Sequence, residues 1–246
     1  MTVAFVLLVI FAYLLGSIPT AYLIAKWRRG IDIRKYGSGN VGASNVLTVV
    51  SKRWSIPVTI FDIGKGALAV WIARLLGMNT AQQITGGIFT VVGHNWPIFL
   101  GFKGGRGIFT TLGVITSLSP PMGLITLITS YALAPVRQLS LGVFFALLSL
   151  PFLSWFLASW LGIEDRLSMT FGLGALTFIG LTRRLLVPRR PLSESVATLE
   201  LFLNRLLFDR DIRDRKVWIC QKRADSDLAL QPSEKDNILP CLTIIP

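Results

Sequence analysis

Apolar residues run along this chain in long blocks, and polar and basic positions gather between the blocks. The first block covers about Val3 to Ala25 and is interrupted at Gly16-Ser17-Ile18-Pro19. A second runs from about Trp54 to Leu76 and a third from about Gln82 to Leu100. A broken stretch follows from Ile108 to Pro135, then two further blocks at about Leu139–Leu161 and Leu167–Val187. A helix needs roughly 20 apolar residues to cross a bilayer, and blocks of this length predict membrane helices. Membrane β-strands would instead show short alternating segments.

Pro120 and Pro121 sit in the middle of the broken stretch. Adjacent prolines remove two backbone donors and stop a helix. Charge indicates how the chain passes this point. If the stretch goes in and turns back at the prolines, Arg137 and the Arg183–Arg190 cluster fall on the same side as the basic loop Lys26–Arg53. The excess of Lys and Arg in cytoplasmic loops favours that arrangement. The expected fold is an all-α membrane protein with seven transmembrane helical segments, two of them short, N-terminus outside and C-terminus cytoplasmic. No basic region precedes the first block, so it reads as an uncleaved span and not as a signal peptide.

After Pro191 the pattern changes. Leu199, Phe202, Leu203, Leu206 and Leu207 keep helical spacing and predict a short amphipathic helix. From about Ala224 the chain is polar, and a disordered end is expected. Residues 1–188 are therefore read as the membrane domain and residues 189–246 as a cytoplasmic tail.

Composition agrees with a membrane protein: of 246 residues 52% are hydrophobic and 15% charged, and the mean hydropathy is +0.60. The net charge is +12. In such a chain this charge favours anionic lipid headgroups over nucleic acid as the partner. Cys220 and Cys241 both lie in the tail, and neither a disulfide framework nor a metal cluster is implied. No metal and no cofactor is expected.

Two glycine-rich loops carry the candidate chemistry. The first is Gly37-Ser38-Gly39-Asn40-Val41-Gly42, with Ser44 and Asn45 close behind; the second is Phe102-Lys103-Gly104-Gly105-Arg106-Gly107. Glycine allows backbone N–H groups to turn inward around an anion. Arginine grips phosphate as a fork and lysine as a point charge. The first loop spells G-x-G-x-x-G, but apolar helices and not strands flank it, which excludes a dinucleotide fold. Asp62 and Lys65 lie inside a predicted span, where ionised groups face the bundle interior. At i, i+3 they are placed to pair with each other.

These motifs, with Phe61-Asp62-Ile63-Gly64-Lys65-Gly66 and the run Gly93-His94-Asn95-Trp96-Pro97 that leads into the second loop, resemble the bacterial acyl-phosphate-dependent glycerol-3-phosphate acyltransferases. The resemblance covers about Ala4 to Arg184. It implies seven membrane helices with the motifs on the cytoplasmic face of the bacterial inner membrane. It also implies transfer of a fatty acyl group from acyl phosphate to the sn-1 hydroxyl of glycerol 3-phosphate, giving lysophosphatidic acid and phosphate. Carried over residue by residue, Ser38 and Lys103 take the catalytic positions. Gly37, Gly39, Asn40, Asn45, Gly104, Gly105, Arg106, Gly107 and Ser140 take substrate-binding positions, and His94 either braces the second loop or touches substrate.

The chain departs from the family pattern in three places. Thr48 stands where the first motif ends in arginine, and Arg106 stands where lysine is common. The histidine–arginine–glutamate–asparagine run expected after the last span is replaced by Thr182-Arg183-Arg184-Leu185, with a faint echo at Asn204-Arg205-Leu206-Leu207. The departures keep two alternatives open: a silent or acceptor-switched paralogue that binds lipid precursors, and, from the intramembrane Asp62 and Lys65, a small anion transporter. No carboxylate or histidine stands out as a general base, and the substrate's own phosphate is a candidate for that role. Oligomeric state is not legible in the sequence.

Overall fold

A computed structural model describes residues 2–187, 193, 194 and 196–214. The expectation of a disordered end and both cysteines fall outside these residues. Every regular element among them is helical. The first apolar block forms α1 (Thr2–Ser17) and α2 (Thr20–Arg29), separated at Ile18-Pro19 and closed by Gly30 in the left-handed conformation. The first glycine loop leads to the short α3 (Ala43–Val49). Then come α4 (Lys52–Leu75), α5 (Thr80–Asn95), α6 (Ile108–Leu118), α7 (Pro120–Ala132), α8 (Leu139–Phe156) and α9 (Arg166–Leu185).

Local chemistry fixes these boundaries. Ser51 caps α4 at the N–H of Trp54, and Asn79 forms a capping box with Gln82 at the start of α5. The proline pair does separate α6 from α7: Ser119 is extended, and both prolines occupy the opening positions of α7 where no N–H is needed. Each of the seven predicted apolar segments is thus helical, the first as a broken pair. Three stretches, Thr2–Arg29, Lys52–Leu75 and Leu139–Phe156, are long and apolar enough to cross a membrane. Large apolar side chains such as Leu75, Phe171 and Phe178 point outward, as a lipid-facing surface requires.

Hydrophobic driving force is weak between helices in lipid, and close backbone approach replaces it. Gly16 of α1 abuts the backbone of Thr90 on α5, and Gly93 of α5 abuts that of Tyr13 on α1. Gly66 of α4 meets Thr110 of α6, and Gly113 of α6 meets Ile63 of α4. A methyl group at any of the four would collide with a carbonyl oxygen. One core cluster, including Val70, Val91, Val114, Leu147, Leu150, Leu173 and Leu176, joins α4, α5, α6, α8 and α9. A second, around Ile33, Val41, Val46 and Val58, lies beneath the first glycine loop and anchors it.

The predicted tail helix is present in shorter form as α10 (Thr198–Leu203), continued by a π turn at Asn204–Phe208. That turn packs on α8 and α9. Arg205 fixes it by donating to the Leu185 and Val187 carbonyls and pairing with Asp211 at 2.8 Å.

Candidate active site

Inside the bundle, Asp62, Lys65 and His94 form a closed polar cluster. Lys65 Nζ lies 2.9 Å from Asp62 Oδ1 and 2.7 Å from His94 Nδ1, and donates to the Gly16 carbonyl at 3.2 Å. The pairing expected from the i, i+3 spacing is present, and His94 joins it. All three side chains are nearly inaccessible.

The cluster lies directly under the second glycine loop. The His94 carbonyl accepts the N–H of Gly105, and a methyl group on Gly105 would strike the His94 ring and the Val41 carbonyl. The Gly105 amide is therefore used within the protein and is not turned toward an anion, unlike the arrangement the glycine-rich pattern suggests. From the other side, Arg183 of α9 donates to the Gly105 and Gly104 carbonyls at 3.1 and 3.0 Å. Gly107, at φ +70°, then turns the chain into α6.

The first loop is built around Asn45. Its Oδ1 accepts the N–H of Ser38 at 2.9 Å, and its Nδ2 donates to the Ile33 and Tyr36 carbonyls. Ser38 Oγ accepts from the N–H of Asn40 at 3.4 Å. Gly37 and Gly39 hold positive φ, and a side chain on Gly37 would displace Asn45. Beside the loop, Asp32 caps a 3₁₀ turn and pairs with Arg34 at 2.7 Å. That hydrogen-bonded guanidinium holds the Asp32 carboxyl below its ordinary range. Arg34 also reaches the Leu100 carbonyl at 3.2 Å and ties the two loops together.

Between the loops and α6, α7 and α8 opens a cavity of about 440 Å³. Ser38, Asn40, Ser44 and Thr48 border it from the first motif, Arg106 from the second, and Arg137 and Ser140 from the start of α8. Arg184 of α9 completes this polar end, its guanidinium bonded to the Ser140 and Leu206 carbonyls while its Nε has no hydrogen-bond partner. Apolar side chains, among them Leu112, Leu127, Val143 and Leu147, line the remainder. Such a volume with convergent cations and an apolar extension suits an amphiphilic anion.

The glycerol-3-phosphate acyltransferase family model matches residues 6–186. The chain belongs to this family. Among its relatives is glycerol-3-phosphate acyltransferase 5 of Dehalococcoides mccartyi strain 195, 44% identical over 97% of this chain and 100% of the relative. Glycerol-3-phosphate acyltransferase 4 of D. mccartyi strain CBDB1 is 43% identical over 91% and 97%. The fold is similar to the crystal structure of PlsY (YgiH), an integral membrane glycerol 3-phosphate acyltransferase. For the glycerol 3-phosphate form the TM-score is 0.67 at 34% identity, over 74% of this chain and 88% of that one; for the lysophosphatidic acid form it is 0.65.

Within this acyltransferase the residues expected from the sequence fall into two groups. Ser38, Asn40, Arg106 and Ser140 meet at the cavity. Gly37, Gly39, Asn45, Gly104, Gly105 and Gly107 shape the loops behind it, and Lys103 is exposed and does not border it. Arg137, Arg184 and Asp209 border the cavity as well and were not singled out. The two arginines were legible only as topology-setting charge. Asp209 comes from the tail, where nothing in the local sequence separates it from its charged neighbours.

Proposed function

We propose that this membrane acyltransferase transfers a fatty acyl group from acyl phosphate to the sn-1 hydroxyl of glycerol 3-phosphate, in phospholipid synthesis. Family membership and the two D. mccartyi relatives, which match over nearly their full lengths, support acyl transfer to glycerol 3-phosphate. One observation carries the site assignment: Ser38 and Arg106, from motifs far apart in sequence, border a single cavity with Ser140. In this scheme Ser38 and the first loop bind one phosphate and Arg106 binds the other. Lys103 adds an exposed cation on the same loop. The acyl chain lies between α6, α7 and α8. Acyl phosphate is already activated, so positioning and charge stabilisation suffice without a covalent enzyme intermediate.

The proposed topology places seven helical segments in the bacterial inner membrane, N-terminus outside, with the cavity's polar end at the cytoplasmic face. Residues 1–188 form the membrane domain and 189–246 an appended tail. Asp62 and Lys65, the residues that suggested transport, are closed on each other and on His94, so no separate transport reading is needed. Purified protein given acyl phosphate and glycerol 3-phosphate should release phosphate only when both are present. Equal turnover with acyl-CoA would reject the donor assignment, and counterflow of labelled glycerol 3-phosphate in proteoliposomes without product would reject the enzyme.

A further inference from the structure

The last turn of α2 and the first turn of α4 meet at one corner of the bundle, away from the cavity. Trp27 and Trp54 pack edge to face there, with ring centroids 5.2 Å apart. The Arg28 guanidinium lies 4.6 Å from the centroid of Trp27 and 4.1 Å from that of Trp54. Arg29 donates to the Val50 carbonyl at 3.1 Å and ties the two helix ends together. Lys26, Lys52 and Arg53 flank the indoles in sequence, and all three are exposed.

Five cations therefore share this corner with almost no counter-charge. The first 61 residues hold a single carboxylate side chain, Asp32. Both its oxygens are taken by Arg34, at 2.9 and 2.7 Å. Among the described residues, Lys26, Arg28, Arg29, Lys52 and Arg53 form no ion pair. Lys52 and Arg53 also stand at the positive end of the α4 dipole, where a cation is disfavoured. An anion from outside relieves both penalties.

We infer that this corner binds the headgroup of an anionic phospholipid. Its position decides the class of ligand. Thr2–Arg29 and Lys52–Leu75 are each long and apolar enough to cross a membrane, so their ends at Arg29 and Lys52 lie at one bilayer boundary. Trp27 is 68% exposed, at the depth that amphipathic indoles favour. Leu23 and Ile56, one helical turn deeper, are exposed as well and offer an apolar flank to acyl chains. Stacking occupies the faces of the Arg28 guanidinium and leaves its N–H edge, the fork that grips phosphate. The lysine stems lie along apolar surface and keep their ammonium groups at headgroup level. A soluble anion would use the charges alone, whereas a phospholipid uses the charges and the exposed apolar side chains together. The inference does not depend on the substrates assigned under Proposed function.

The test is lipid retention by the full-length protein, read by native mass spectrometry with phosphatidylglycerol and phosphatidylcholine supplied in equal amounts. The parent should retain phosphatidylglycerol in preference, and equal retention of the two lipids would overturn the site. Arg28→Gln should weaken the preference about fivefold, the weight of one Lys or Arg at an anionic surface. Lys52→Gln combined with Arg53→Gln should weaken it about twentyfold. Arg166→Gln is the control: Arg166 stacks on Trp155 at 4.3 Å in the same manner but lies at the start of α9. It should keep the parental preference, and a loss equal to that of Arg28→Gln would reduce the effect to total charge and overturn the site. Parental preference in both test variants, or displacement of the lipid by millimolar inorganic phosphate, would overturn it too. If Arg28→Gln does not fold, the double variant decides, since both of its altered side chains are exposed.

Discussion

Two groups of charge lie within the same bundle and behave in opposite ways. Asp62, Lys65 and His94 satisfy one another and the Gly16 carbonyl, and do not border the large cavity. At the cavity, Arg106, Arg137, Arg184 and Arg210 face a single carboxylate, so positive charge is left over. A closed cluster holds a structure together, while a surplus facing a cavity attracts something from outside. The balance of charge, more than the presence of charged residues inside a membrane, separates the brace from the binding site.

Breaking the closed cluster should have the largest effect on stability. Asp62→Asn strands the Lys65 ammonium, and losing one partner of a buried pair costs about 3–5 kcal/mol. Thermal unfolding in detergent would register this, and a Lys65→Met change added to it should restore part of the loss. Removing a surplus charge should act on turnover instead. Arg106→Gln is expected to lower kcat by on the order of 10²–10³, the usual scale for one lost charge-stabilising donor, with an unfolding midpoint near the parent's. A midpoint that falls with activity would erase the distinction between the two clusters.

Lys103→Ala sharpens the comparison at a smaller scale. Its ammonium is exposed, so kcat/KM should fall only about tenfold, in keeping with the weakness of solvated charge pairs. A loss equal to that of Arg106→Gln would show that Lys103 moves into the cavity on substrate binding. The smallest effect belongs to Asp32. Its folded-state pKa is depressed, so its contribution is complete above the unfolded pKa and disappears as pH falls through the lower, folded value. Asp32→Asn should cost less than about 1 kcal/mol at neutral pH, and in denaturant titrations the difference between variant and parent should begin to shrink below about pH 4 and vanish only beneath the lower, folded value.

The helical segments were legible because each depends on local rules: apolar length, the Pro120-Pro121 stop, and caps such as Asn79 with Gln82. The Asp62–Lys65 pairing was legible for the same reason, since one helical turn sets it. What could not be read depended on distance. Gly105 reads as an anion-binding amide until His94 is seen to accept its N–H. Arg183 reads as topology-setting charge until it is seen donating to the Gly104 and Gly105 carbonyls, 79 and 78 positions earlier. Asp209 reaches the cavity only because Arg205 clamps a tail turn onto α9.

The glycine contacts that join α1 to α5 and α4 to α6 have a mechanical consequence. Helices touching carbonyl to Cα at two points each can neither roll about their axes nor slide without collision. These pairs therefore act as stiff girders, and the give needed to admit a long fatty chain is left to side-chain rotation around the cavity and to the clamped tail turn. On the site proposed above, exchanging side chains such as Leu127 and Val143 would retune which chains enter, without disturbing the frame that carries them.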